Sequence, residues 1–77
     1  MKQNVLYITV WNGGFEVTTS ATYDPKTKKV SDIELYDGEL IDEDGDELEF
    51  LDGQFIELQT GERLEVKDDD TGNIVVA

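Results

Sequence analysis

The chain has 77 residues, of which 38% are apolar, so it can build one small core and no more. Because it contains no Cys and no His, disulfides, thiol chemistry and the usual general base and metal ligand are excluded. Nineteen Asp and Glu against six Lys and Arg give a net charge of −13, and residues 31–77 hold all but two of these acids, so we expect an anionic surface that attracts cationic partners.

Glycines and turn dipeptides interrupt the chain every eight to twelve residues, which is the spacing of an all-β meander. No interval has room for a capped amphipathic helix of usual length. We therefore predict a single domain, residues 1–77, with six or seven antiparallel strands. Six or seven short strands are too many for one open sheet in a chain of this length, so a barrel-like or two-layered fold is expected.

The first predicted hairpin turns at Asn12-Gly13-Gly14. A two-residue turn at Asn12-Gly13 or at Gly13-Gly14 gives different registers but the same face assignment. The residues expected to point into the core are Leu6, Ile8, Val10, Phe15, Val17 and Thr19. The second strand is expected to run on to Asp24-Pro25, where Pro25 fits a type I turn and Asp24 accepts hydrogen bonds from the turn backbone.

A third strand is predicted over residues 30–36, with Ile33 and Leu35 inward, before a turn at Asp37-Gly38. Residues 39–46 are the hardest to assign, and residues 42–47 read as an acidic loop. Leu48 and Phe50 then alternate with acidic residues, which is the pattern of a strand.

A later hairpin is predicted around a three-residue loop, Thr60-Gly61-Glu62. This loop places Leu58 opposite Leu64 and Ile56 opposite Val66, with all four residues facing the core. The apolar run at residues 74–76 forms a short final strand.

Nine acidic residues between positions 37 and 52 are the main candidate for function. Two neighbouring strands that carry same-face carboxylates offer one charge per ~3.3 Å, which is close to the phosphate spacing of one DNA strand. We therefore predict a surface that replaces nucleic acid on a basic protein. The candidate residues are Asp37, Glu39, Asp42, Glu43, Asp44, Asp46, Glu47, Glu49 and Asp52. The alternative is that the charge only keeps the protein soluble, although a net charge of about 2–8 is enough for that.

Tyr7 and Trp11 lie on the side of the first strand opposite the predicted core face. In a two-layered fold this side is simply a second buried face. If it is open, the two aromatic side chains become contact anchors for a partner or a second copy of the chain.

Metal binding and catalysis are not expected. Acidic triplets at 42, 44 and 46 and at 68–70 offer oxygen ligands to calcium. Counted from Asp42, however, Glu47 and Gly53 stand where the helix–loop–helix calcium motif needs Gly and Glu. Paired carboxylates can hydrolyse glycosides, but a chain of ~77 residues seldom builds the cleft that this requires. We predict no metal site, no cofactor and no enzymatic activity.

Four segments resemble small uncharacterised acidic all-β proteins of bacterial phages and mobile elements. They read VWNGGFEV at 10–17, ATYDPKT at 21–27, QFIEL at 54–58 and ERLEV at 62–66, and the match covers about half of the chain. The resemblance implies a setting in which small acidic proteins often inhibit defence nucleases or other nucleic-acid enzymes. It implies no activity and no functional residue for this chain.

The sequence thus favours a non-catalytic binding protein that docks on the basic, nucleic-acid-binding surface of a partner protein. A structural or self-assembly module, including a homodimer, is the alternative. The N-terminal apolar run is too short for a signal or membrane span, so a cytoplasmic location is expected. No direct contact with nucleic acid or membrane is expected.

Overall fold

The computed structural model describes residues 1–77 as six β-strands without a helix. The strands are β1 (Gln3–Trp11), β2 (Phe15–Asp24), β3 (Lys29–Ser31), β4 (Leu51–Glu57), β5 (Arg63–Asp68) and β6 (Ile74–Val76). They pair antiparallel in the order β1-β2-β3-β6-β5-β4, and β4 pairs with β1 to close a barrel. The predicted small all-β barrel is confirmed. Nothing in the chain forms a helix with the length and apolarity needed to cross a bilayer.

Two three-stranded meanders make up the barrel. One contains β1, β2 and β3, the other contains β4, β5 and β6, and both meet along the β1–β4 and β3–β6 pairs. A single segment, residues 32–50, joins the meanders and contains no strand. We call this segment the acidic connection.

The core is formed by inward-facing residues of all strands except β6, whose residues pack at its border. Seven buried residues form one cluster: Val5, Tyr7, Ala21, Tyr23, Val30, Ile56 and Val66. Ile33, Leu58, Leu64, Ile74 and Val76 are partly buried against it. Burial of this apolar surface is the main stabilising contribution that a domain of this size has.

The predicted core face of the first hairpin is wrong for β1 but correct for β2, where Phe15, Val17 and Thr19 share the face of the buried Ala21 and Tyr23. The loop has three residues, Asn12-Gly13-Gly14, because the N–H of Gly14 donates to the carbonyl of Trp11 at 3.0 Å and Trp11 pairs with Phe15. Gly14 has a φ of +81°, which a glycine adopts without strain in this type of loop. The register therefore lies midway between the two predicted ones, and a shift of one residue moves each side chain of β1 to the face opposite the predicted one.

As a result, the first strand buries Val5 and Tyr7 in the barrel, whereas Leu6 is 44% exposed. Tyr7, Thr9 and Trp11 now share a face with Thr19, Val17 and Phe15, their direct partners on β2. Ile8 is an exception, because it lies on the outer face and is still only 2% exposed.

The later hairpin also differs in register, but its face assignment is confirmed. Ile56 pairs with Leu64, and the loop is closed by the N–H of Leu58, which donates to the carbonyl of Glu62 at 2.8 Å. The shift from the predicted pairing is two residues, so the same side chains still face inward. Ile56 and Val66 are both buried.

The third strand is shorter than predicted. β3 ends at Ser31, and Asp32 has a φ of +51°, which takes the backbone out of the extended conformation. Ile33 packs against the core as expected, but Leu35 is 85% exposed, so its inward assignment is wrong. The strand expected around Leu48 and Phe50 does not form, and β4 begins at Leu51.

The predicted role of Asp24 as an acceptor of hydrogen bonds from the turn backbone is confirmed. The Oδ1 atom of Asp24 accepts a hydrogen bond from the N–H of Lys26 at 3.0 Å. The carbonyl of Asp24 accepts from the N–H of Lys28 at 2.7 Å, which completes the connection between β2 and β3.

Candidate functional site

The acidic connection carries most of the net charge of the molecule. It contains ten Asp and Glu and no Lys or Arg, whereas the rest of the chain contains nine acids and six bases. The connection therefore accounts for −10 of the net charge of −13. Eight of the nine predicted acidic site residues lie in it, and the ninth, Asp52, lies in β4. All nine are exposed except Asp42, which is half-buried.

Both ends of the acidic connection are held on the first hairpin. Near its start, the N–H of Glu34 donates to the carbonyl of Ser20, and the hydroxyl of Ser20 donates to the Glu34 carboxylate, both at 2.8 Å. At its end, Phe50 and Asn12 exchange two hydrogen bonds: the N–H of Asn12 donates to the Phe50 carbonyl at 2.8 Å, and the N–H of Phe50 donates to Asn12 Oδ1 at 3.0 Å. The charged segment is thus placed over one part of the barrel.

The middle of the connection is a small hydrogen-bonded hairpin. Ile41 bridges Glu47, and the N–H of Asp42 donates to the carbonyl of Asp46 at 2.8 Å. The Oδ1 atom of Asp42 accepts from the N–H groups of Asp44 and Asp46 at 2.9 and 2.8 Å. This turn holds carboxylate oxygens of Asp42, Asp44 and Asp46 within 4.8 Å of one another. Like charges at this spacing repel, so the turn concentrates negative potential.

Asp42, Asp44 and Asp46 are the residues that could hold a hard cation, but their geometry is explained by the turn alone. The loop at Asp69–Asn73 repeats the same pattern, because Asp69 Oδ1 accepts from the N–H groups of Thr71 and Asn73 at 2.8 and 3.0 Å. With one ligand oxygen from each residue, the triplet supplies three of the six to eight oxygens that Ca²⁺ takes. The triplet therefore gives no specific reason to assign a metal.

The hydrogen bonds in the Asp69 loop change the acidity of that residue. The hydroxyl of Thr71 donates to Asp69 Oδ1 at 2.6 Å, and together with the N–H groups of Asn73 and Thr71 it lowers the pKa of Asp69. The charged form is favoured because all of these groups donate to it.

No cation within the molecule neutralises the acidic connection. The two ion pairs both involve Arg63, which lies 3.2 Å from Glu16 and 3.6 Å from Glu57, and all three residues belong to barrel strands. The carboxylates of residues 32–50 have no Lys or Arg within ion-pair distance. Their charge is therefore available to an external partner.

Exposed apolar side chains are interleaved with these carboxylates, and sequence reasoning missed them. Leu35, Phe50, Tyr36 and Ile41 are 85%, 68%, 51% and 46% exposed, and they are four of the seven exposed large apolar residues in the chain. The alternation of apolar and acidic residues indicated a buried strand face, so these residues were expected inside or left unassigned. Exposed aromatic residues are typical contact anchors in protein interfaces.

Neither of the predicted aromatic anchors is a freely exposed side chain. Tyr7 is buried in the core, where desolvation, reinforced by the charge of Asp68, raises the pKa of its hydroxyl. Of the two alternatives for its face, the buried one is therefore correct for Tyr7. Trp11 is half-buried, and its indole N–H donates to Thr9 Oγ1 at 3.2 Å.

An apolar groove of about 250 Å³ lies where the first hairpin meets the acidic connection. The hairpin provides one side through Tyr7, Trp11 and Val17, and the connection provides the other through Tyr36 and Leu40. Thr9, Thr19, Ile33, Glu34 and Leu35 complete the lining. Trp11 thus contributes to a surface feature together with residues of the charged segment.

Comparisons with known proteins give no relative for this chain. It matches no protein-family model, no curated protein and no solved structure.

Proposed function

We propose that this protein is a non-catalytic binding protein whose acidic connection docks on a basic surface of a partner protein. The partner is of the kind that ordinarily holds nucleic acid, and the carboxylates occupy the place of phosphates. We further propose that this encounter takes place in the cytoplasm.

The observation that supports the proposal is that most of the negative charge lies in a segment outside the barrel strands. The connection carries −10, contains no base, and forms no ion pair with the barrel. A surface of this kind raises association rates with cationic partners and repels anionic ones. The exposed Tyr36 and Phe50 add apolar contact area that a purely solubilising surface does not need.

The test is a capture experiment followed by competition. Immobilised protein is exposed to cell lysate at low salt, and each captured protein is then assayed for binding to its nucleic acid with and without this chain. We expect displacement of the nucleic acid, and a loss of affinity of about tenfold between about 50 and 300 mM salt, because screening removes the main attraction.

A matched pair of triple variants tests whether the acidic connection is the part of the chain that competes with nucleic acid. Glu39→Gln, Glu47→Gln and Glu49→Gln together remove three charges from the connection. Glu62→Gln, Glu65→Gln and Asp70→Asn together remove three charges from exposed positions outside it. Only the first set should weaken competition. Equal loss with both sets, or competition that salt does not affect, would contradict the proposal.

Self-assembly is the second candidate, since the exposed Leu35 and Phe50 are also suited to contact a second copy. Each copy would bring ten uncompensated charges, so association through this region would have to overcome strong repulsion. Sedimentation at rising salt distinguishes the two functions. A dimer that appears only when salt screens the charge favours self-assembly, whereas a monomer at all salt concentrations favours docking on a cationic partner.

A further inference from the structure

We infer that the apolar groove between the first hairpin and the acidic connection receives one large apolar side chain from a Lys/Arg-rich segment of the partner. This inference rests on the proposed function and names the kind of segment that the site recognises.

The size of the groove favours a side chain over a small-molecule ligand. Its volume of about 250 Å³ is below the range of about 300–1,000 Å³ that is typical of small-molecule sites. Seven of its ten lining residues are hydrophobic, so an apolar group is the favoured occupant.

The carboxylates around the groove determine which residue types should flank the apolar side chain in the partner's segment. Glu34 belongs to the lining, and Asp37 and Glu39 lie on the same stretch of chain as the groove residues Tyr36 and Leu40. No Lys or Arg occurs between residues 32 and 52. A segment that inserts an apolar side chain here must therefore lay its neighbouring residues against carboxylates, which favours Lys and Arg.

The walls of the groove are supported in different ways. The indole ring of Trp11 is held by its hydrogen bond to Thr9, which also lines the groove. The ring of Tyr36 lies against the backbone of Gly38, where a β-carbon would collide with it. Leu35 and Tyr36 are exposed and can be truncated without opening the barrel core.

The test uses two synthetic peptides and the fluorescence of Trp11, the only Trp in the chain. Both peptides alternate Lys and Ser, and they differ only in a central residue, which is Leu in one and Ala in the other. We expect the Leu peptide to bind about tenfold more tightly and to change the Trp11 emission, because its side chain fills the groove.

Variants assign this difference to the groove. In the double variant Leu35→Ala and Tyr36→Ala, the two peptides should bind equally, with the affinity of the Ala peptide unchanged. Leu6→Ala, an exposed truncation on the outer face of β1, should keep the tenfold difference. The unfolding midpoint of each variant shows that the barrel is intact.

The outcomes separate this inference from the proposed function. Equal binding of both peptides to the natural chain overturns the groove inference and leaves electrostatic docking standing. Failure of both peptides to bind at low salt overturns both. A Trp11 emission that changes with protein concentration alone shows that a second copy fills the groove, and it overturns the inference as well.

Discussion

The barrel and the acidic connection are stabilised in different ways. The barrel has six paired strands, a closed hydrogen-bond ladder and a cluster of seven buried residues. The connection has one isolated bridge, between Ile41 and Glu47, and one buried side chain, Leu48. Yet the connection carries −10 of the charge of −13. The comparison indicates that the stability of the fold depends on the barrel, whereas the electrostatic repulsion lies in the acidic connection.

The largest effect is expected from a pair of variants that each truncate one apolar side chain, one in the barrel and one in the acidic connection. Ile56→Ala removes a side chain that is 0% exposed in the barrel and should cost ~2–5 kcal/mol of unfolding free energy. Phe50→Ala removes a larger side chain from the connection, but most of that side chain is already in solvent, so the loss should stay within about 0.5 kcal/mol. Urea unfolding measures both. Comparable losses would show that the connection is part of the cooperative core.

A second pair of variants replaces a glycine in the same kind of turn, once in the barrel and once in the acidic connection. Gly61 follows β4 and Gly45 lies in the connection; their φ angles are +90° and +85°, and no atom lies within 4 Å of an added β-carbon at either position. Alanine at each position therefore introduces only backbone strain, of ~1–2 kcal/mol. Gly61→Ala should lower the global free energy of unfolding by that amount.

Gly45→Ala should change the global value by less than about 0.5 kcal/mol, because the small hairpin opens without the barrel. Its effect should appear instead in amide exchange, as faster exchange of the N–H groups of Asp42 and Leu48, which bond within that hairpin. Equal global losses for the two glycines would mean that the two regions unfold as one unit.

The smallest expected effect concerns the loops at residues 42–46 and 69–73. In both loops the first aspartate side chain accepts hydrogen bonds from two backbone N–H groups. Where the loop before β6 has Thr71, whose hydroxyl lowers the pKa of Asp69, the connection has the carboxylate of Asp44. Thr71→Val should raise the pKa of Asp69 toward its ordinary value, as followed by an NMR titration of its carboxyl group. Thr60→Val, in the exposed β4–β5 loop, serves as the control and should leave that pKa unchanged.

The same shift has a defined pH dependence. Because the pKa of Asp69 is lower in the folded than in the unfolded state, its hydrogen bonds stabilise the fold above the unfolded pKa. This contribution is lost as the pH falls through the folded pKa. In Thr71→Val the loss on acidification should therefore be smaller. An identical acid dependence in the two proteins would contradict the assignment.

Much of the barrel could be predicted from the sequence, and the errors have a common physical cause. Alternation of apolar and polar residues identifies a strand but gives its inward face only when the register is known. The β4–β5 hairpin tolerated an error of two residues, so Ile56 and Val66 were assigned correctly. The first hairpin differed by one residue, which exchanged Leu6 for Tyr7 in the core.

The acidic connection was the part that could not be predicted in detail. Its alternation of apolar and acidic residues imitates a strand, but Asp32 leaves the extended conformation directly after β3, and the regular pairing with β2 stops at Ser31. The exposure of the acidic residues could be expected from their charge. The exposure of Leu35, Tyr36 and Phe50 depends on that lost pairing, which sequence patterns do not encode.

The β1–β4 pairing has a consequence for the rate of folding. It brings Leu6 opposite Glu57, and the chain between them must first bend back on itself while carrying all the like charges of residues 32–50. Loop closure of this kind is entropically unfavourable before any contact stabilises it, and repulsion within the loop adds to the barrier. Screening ions shorten the range of that repulsion, so we expect salt to accelerate folding more than it slows unfolding.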